Sequence, residues 1–508
     1  MSFPSIVKSL LGAAATANAG TFATCKARLL TSLQSASFTT IRLFVAKANG
    51  LGHQATTVNM IWRLTALGFN QNIQIIFEGA NVVTDETYKK LVILIPGLAA
   101  CAGPLPSNNT LTINGVTLTF ICLANFTAHY SAPGQKIAFG ITGGYDTQAT
   151  DMALLTNTTY FLKLQPYCWL QPNILYSRVG AAAASTTVNL GTLAVLGKLA
   201  FTRQNYIQAI QALDANGLNL VTPVEKRTAY SGILAACNPL SPQWANMLPV
   251  YGIEPDAVSG EVKTLPGVKP EDILFNLIAA IAYAQDNSVV ANLKKGVIVP
   301  VIATIPDANY AALKDAVWST SDYTNINTYA RANSFVTRVT IISYDHINLQ
   351  TYLTQVQTDP TMILLIKMNG LPVQAFNNMY IKSTLPGMFE GKGTASYMLN
   401  SNLPFFNLTP LATQRYIYPS LPLAGPASLM SGTCTKASFN FNTNLATTNN
   451  AIGTVANTSF YALFSFLQNI YNTPAYTAYF TEIQTYFHDE QNDKLLGALF
   501  YLLSASPL

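Results

Sequence analysis

LPVQAFNNMYIKSTLPGMFEGKGTASYMLNSNLPFFN, residues 371–407, decides how the chain is read. It parses as helix, short apolar strand, glycine turn, helix, short apolar strand. The turn, Glu390-Gly391-Lys392-Gly393-Thr394, follows apolar Met388-Phe389 and precedes Ala395, Tyr397, Met398 and Leu399, which suit a helix. A strand that turns directly into a helix leaves unbonded backbone N–H groups and a positive helix end at the carboxyl edge of a sheet, a ready place for a phosphate. Gly391 and Gly393 let a ligand approach the backbone. Lys392 adds a charge, and the hydroxyls of Thr394 and Ser396 complete a cradle. An ordinary strand-to-helix turn has the same composition, so phosphate binding is an expectation for the structure to place.

Outward from this stretch, the second half alternates regularly. Strands are expected at Met247–Val250, Val297–Ile302, Val336–Ser343 and Met362–Ile366, with helices at 270–285, 308–317 and Asn348–Val356 between them. Alternation of this kind builds an open parallel sheet. The first half shows it too. Ile41–Ala46 is an unbroken apolar strand, Ala48–Gln54 a turn, 55–68 a helix and Ile73–Phe77 a second strand. Further strands are expected at Leu91–Ile95, Lys136–Thr142 and Thr159–Leu164, with a hairpin at Asn114-Gly115 and a helix over 147–156. Residues 178–240 break the rhythm. Alanine-rich 181–199 suits a packed helix or loop, and 203–217 and 224–236 read as helices. The expected domains are 1–240, 241–457 and a helical segment 458–508. The fold class is α/β, with two Rossmann-like doubly wound domains.

Composition narrows the function. Of 508 residues, half are hydrophobic and only 10% charged, with a net charge of +5. That charge content is far below the usual quarter or so. No Lys/Arg stripe appears, so no nucleic-acid partner is expected. The six cysteines show no CxxC spacing and the four histidines no HExxH pattern, so no metal site is expected. No run of eighteen apolar residues suggests a membrane span. Residues 1–19 resemble a secretory signal only loosely and suit an amphipathic helix better. A cytoplasmic location is expected, with secretion the alternative.

Two motifs resemble the GT-B fold of nucleotide-sugar glycosyltransferases. The strand followed by Asn49-Gly50-Leu51-Gly52-His53 and a helix is similar to the Gly-x-Gly-His opening of many members. Residues 376–404, FNNMYIKSTLPGMFEGKGTASYMLNSNLP, are similar to the donor segment of that family. The resemblance implies two domains facing a cleft, acceptor on the first and nucleotide-sugar donor on the second. The last helices would return to the first domain. The acceptor could be a glycan, a protein or a small molecule. The reaction implied is metal-independent transfer of a sugar to a hydroxyl or side chain, with no cofactor beyond the donor. Many relatives place an acid for the ribose hydroxyls three positions after the turn threonine. Here that position is Tyr397.

His53 is the candidate general base, since imidazole suits proton abstraction near neutral pH; it is equally a plain helix-start histidine. Asp146, in Gly143-Gly144-Tyr145-Asp146, would orient His53, act as base, or simply cap the following helix. Donor contacts fall on Tyr251, Gly252, His346, Glu390, Gly391, Lys392, Gly393 and Thr394. Each also has an ordinary turn, loop or capping role. The alternatives are a nucleotide-sugar epimerase or hydrolase, and a catalytically inactive binding module.

Overall fold

The computed structural model describes residues 22–34, 40–47, 52–79, 85–98, 109–126, 137–143, 157–164, 173–188, 218–318, 338–390, 397–408, 434–440, 457–485 and 494–505, together with Thr394 and apart from a few positions inside these spans. The chain divides into two compact units. One comprises Met1–Thr202 with Thr485–Leu508, the other Arg203–Gln484.

The first unit opens with helix α1 (Phe22–Leu33), strand β1 (Thr40–Val45), helix α2 (Gly52–Ala66) and strand β2 (Asn72–Phe77). Helix α3 (Glu86–Leu94) precedes the strands β3 (Asn109–Ile113), β4 (Val116–Cys122), β5 (Ile137–Thr142), β6 (Tyr160–Lys163), β7 (Asn173–Val179) and β8 (Ala182–Val188). They form one sheet in the order β3-β4-β2-β1-β5-β6-β7-β8. Its centre, β4-β2-β1-β5-β6, is parallel, and antiparallel hairpins finish both edges. Strand β1 (TIRLFV) is buried on both sides, as the middle of a parallel sheet requires. Ile41, Leu43 and Val45 face a core built with Met60, Ile61 and Leu64 of α2 and with Leu495, Leu496, Leu499 and Leu502 of the terminal helix Lys494–Ala505. Phe44, Ile76, Ile121 and Phe161 pack on the other face.

Two expectations change here. Leu91–Ile95 is the end of α3 and not a strand. Asp85 caps that helix by accepting from the Tyr88 N–H at 2.9 Å, and Tyr88, Leu91 and Ile95 are buried at helical spacing. Ala182–Val188, expected as helix or loop, is a strand, because it pairs antiparallel along the whole of β7. The expected helices at 147–156 and 203–217 lie outside the described residues.

The second unit begins with helix α4 (Val224–Ala236), which packs on α7 (Leu349–Thr358). This differs from the expected first domain, 1–240, which includes 224–236. The buried Tyr230 hydroxyl ties α4 further into the second unit, accepting from Asn378 Nδ2 at 2.7 Å and donating to the Ala375 carbonyl. Strand β9 (Asn246–Met247), helix α5 (Pro270–Asn287), strand β10 (Val297–Val301), helix α6 (Asp307–Trp318), strand β11 (Val339–Ser343) and strand β12 (Ile363–Lys367) follow, α7 lying between the last two. They give a parallel sheet in the order β11-β12-β10-β9. Helix α8 (Val373–Ile381) leads to β13 (Gly387–Phe389), β14 (Phe405–Asn407), β15 (Cys434–Thr435) and β16 (Ser438–Asn440), ordered β13-β14-β16-β15. Val250 joins the two sheets, bridging in parallel to Val301 on one side and Met388 on the other. Helix α9 (Asn457–Asn472) packs on α5 within this unit, with Phe464 edge-on to Tyr283 at 4.8 Å. Of the C-terminal helices expected to return to the first domain, then, Lys494–Ala505 lies in the first unit and α9 in the second.

Candidate functional site

In each sheet the strand order reverses once, and an open α/β sheet offers its ligand crevice at such a reversal. In the second unit the chain moves from β9 to β10 and outward, then returns to the other side of β9 with β13. Tyr251 N–H donates to the Met388 carbonyl and Met388 N–H to that of Pro249, both at 2.9 Å. Gly252 follows with φ +82, a conformation glycine adopts freely. A Cβ there would lie 2.4 Å from Glu390 Cβ and 2.6 Å from Glu390 N. The loop after β9 therefore touches the residue after β13 backbone to backbone. Two segments separated by more than a hundred residues meet at the reversal.

Aromatic rings support this edge from below. Tyr251 packs edge-on to Phe376 at 5.1 Å, Phe376 lies 4.6 Å from Tyr380, and the Tyr380 hydroxyl donates to the Met388 carbonyl at 2.7 Å. Burial, then Glu254 and Glu390, pushes the Tyr251 phenol up to about 12, so it remains a neutral donor near pH 7. Glu254 is half-buried, and burial raises its carboxyl above the usual range against the opposing pull of Lys263 and backbone N–H groups.

The remaining expected donor residues are placed unequally. Thr394 is helical, whereas Gly391, Lys392 and Gly393 lie outside the described residues. His346 sits in the loop after β11, where its Nδ1 accepts from Asn348 N–H at 3.1 Å and its ring lies 5.6 Å from Tyr352. Those contacts suit a loop-ordering residue. Tyr397 is buried and its hydroxyl donates to the Asn377 carbonyl at 3.2 Å, so it faces the core. Lys226, from α4, reaches the carboxyl ends of β11 and β12. Its ammonium donates to the Asn369 carbonyl at 3.1 Å and lies 4.9 Å from the centre of the Tyr344 ring.

The first unit reverses between β2 and β5, on either side of β1. Helix α2 starts at this edge with Gly52 exposed, His53 half-buried and Gln54 buried. Thr142, the last residue of β5, donates its hydroxyl to the Phe44 carbonyl at 2.9 Å. A Cβ on Gly143 would lie 2.5 Å from Thr56 Cγ2, so α2 packs directly on the end of β5. Lys163 ends β6 in register with Thr142, and burial lowers its ammonium to about 7. Asn49–Leu51, Gly144, Tyr145 and Asp146 lie outside the described residues, so the expected pairing of Asp146 with His53 falls there too. Glu254, Lys226 and Gln54 were not singled out from sequence. Only Glu254 carried a signal, two residues beyond the glycine at the strand end.

Among the described residues no group of His, Cys, Asp and Glu side chains gathers that could hold a metal ion, and no helix is long and apolar enough to cross a membrane. No family model matches the chain, and no curated protein matches it. Among solved structures, the glycosyl transferase family 9 protein from Veillonella parvula DSM 2008 aligns with a TM-score of 0.30 at 9% identity, over 72% of this chain and 80% of that one. A likeness of that degree carries no functional assignment.

Proposed function

We propose that the chain is a glycosyltransferase that moves a sugar from a nucleotide-sugar donor to an acceptor hydroxyl. The second unit takes the donor and the first unit the acceptor. The contact of Gly252 with Glu390 carries this reading, because it sets the start of the Glu390–Thr394 turn at the strand-order reversal of the second sheet. There the turn's backbone N–H groups and Lys392 would stabilise a leaving diphosphate without a metal. The neutral Tyr251 phenol and the carboxylates of Glu254 and Glu390 would hold donor hydroxyls. His53, in the first turn of α2, would take the acceptor's proton.

A panel of nucleoside diphosphates and nucleotide sugars in thermal-shift measurements tests this. A ligand that binds the native state raises the melting midpoint by mass action, with about 2.7 kcal/mol of added stability at a hundred times its Kd. At least one nucleotide is expected to do so. The idea fails if none moves the midpoint at millimolar concentration. A second reading, a catalytically inactive binding module, is favoured by Tyr397, which is buried where many relatives of the resembled family carry the ribose-binding acid. His53→Ala separates the two readings. Lost transfer with retained nucleotide binding supports the enzyme, and no measurable transfer by either protein supports the module.

A further inference from the structure

We propose that Lys226 is the contact residue of an oxyanion site at the carboxyl ends of β11 and β12. The site takes a phosphate or a carboxylate of a small molecule. It is separate from the Glu390–Thr394 turn, since three strand spacings, about 14 Å, lie between β12 and β13 in the sheet order.

Lys226 is half-buried in the first turn of α4. Its ammonium donates to the carbonyls of Asn369 and Gly370, at 3.1 and 3.4 Å, and lies over the Tyr344 ring. Asn369 and Gly370 both have positive φ, 50 and 82, and the Gly370 N–H donates to the Ile302 carbonyl, which fixes this bend against the end of β10. An ammonium has three protons. Two go to these carbonyls, and no protein group takes the third among the described residues.

The charge itself is also unmet. Buried cations normally sit beside acids. Burial alone acts on this one and draws its pKa down, with no carboxylate offsetting it, the neighbouring Glu225 included. A helix start is positive and disfavours a cation, so the place of Lys226 in α4 adds to the cost. Arg227 puts a second cation in the same turn, and among the described residues its guanidinium is met by neutral oxygens of Asn219 and Val221. Helix α8 contributes again. It begins at Val373, just after Gly370, with no side-chain cap. Tyr230, one turn beyond Lys226, donates to the Ala375 carbonyl and so ties α4 to the first turn of α8.

Two cations and two helix starts thus gather at the edge where open parallel sheets receive ligands. What they lack is negative charge. An oxyanion would take the third ammonium proton in a charge-assisted hydrogen bond. A hydroxyl would bring no charge and leave the cations unmet.

The test is acetylation of the full chain by an amine-reactive ester, read residue by residue by mass spectrometry. Inorganic pyrophosphate probes the phosphate source and glucuronate the carboxylate source. Sodium chloride at the same ionic strength controls for screening. At least one oxyanion is expected to slow acetylation of Lys226 about tenfold at ten times its Kd, by mass action, while exposed Lys89 is unaffected. Protection by pyrophosphate alone assigns a phosphate ligand, by glucuronate alone a carboxylate ligand, and by both a site that reads charge. Lys226→Met is expected to bind the protecting oxyanion about tenfold or more weakly, and Lys226→Arg, which keeps the charge, to retain most of the affinity. The labelling uses wild type, so it decides the matter even should K226M fail to fold. Failure of both oxyanions to protect Lys226 better than chloride overturns the proposal. So does equal binding by wild type and K226M. Neither result touches the donor reading, which stands or falls on the nucleotide panel.

Discussion

Burial shifts different groups in the two units, the bases Arg42 and Lys163 in the first, and the acids Glu254 and Tyr251 beside the base Lys226 at the carboxyl edge of the second. Burial lowers the Arg42 guanidinium to about 10 and the Lys163 ammonium to about 7. In the second unit it raises the Glu254 carboxyl and the Tyr251 phenol. Both shifts run towards the neutral form, the sign of desolvation rather than of charge pairing. Arg338 is held by pairing, its guanidinium donating to both Asp286 oxygens, at 2.8 and 3.0 Å, and to Gln285. A chain with so few charges thus treats them in two ways. Arg338, which holds helix to strand, is paired, as is Lys367 at the end of β12 with Asp307 at 2.7 Å, whereas burial moves Lys163 and Glu254 towards their neutral forms.

The largest effect that would sharpen this contrast belongs to the paired charge. Asp286→Ala strands the Arg338 guanidinium between α5 and the sheet, and should cost the second unit about 3 kcal/mol in urea unfolding. A much smaller cost would mean that Gln285 and the carbonyls alone sustain the cation. Next come the two edge glycines. Gly252→Ala combines a positive φ with overlap against Glu390 backbone, and should cost about 2 kcal/mol and abolish any nucleotide-induced shift. Gly143→Ala meets the side-chain methyl groups of Thr56 and Met60, which can move, and should cost about 1 kcal/mol. Equal costs would remove the distinction between the two edges.

The pH dependence has opposite signs in the two units. Lys163 has a folded pKa below its unfolded one, so between about 7 and the ordinary lysine value the unfolded chain holds more protons and stability rises with pH. Glu254 has a folded pKa above its unfolded one, so the folded chain holds more protons and stability falls as pH rises above the ordinary glutamate value. Hydrogen exchange resolved by unit should show both slopes. Lys163→Met should flatten the first and Glu254→Gln the second, and a slope that survives its substitution assigns it elsewhere. The smallest effect is at the surface. Lys89→Ala breaks an exposed pair with Glu86 at 2.7 Å and should leave the midpoint unchanged within measurement.

The parallel centre of each sheet was readable from sequence because its strands are continuous apolar runs closed by glycine or polar residues. Val297–Val301 and Ile363–Lys367 are such cases. Leu91–Ile95 failed on the same rule. A five-residue apolar run fits a strand or one side of a helix equally well, and the deciding signal was Asp85, a cap six residues upstream. Ala182–Val188 failed because alanine favours helices, while pairing with β7 overrides that preference. At the candidate site, Gly252 and Glu390 were each visible as strand-end residues, but their mutual contact depends on which strands are neighbours. Lys226 was invisible, since a lysine near a helix start looks the same whether its ammonium meets an acid or a carbonyl.

Residues 494–505 complete the core around β1, although β1 is translated hundreds of residues earlier. During synthesis the second unit has all its strands and helices before the first has its last wall. The segment encoded later can reach its final form earlier, and the first unit waits for the closing helix to cover α1 and β6, the elements it packs on.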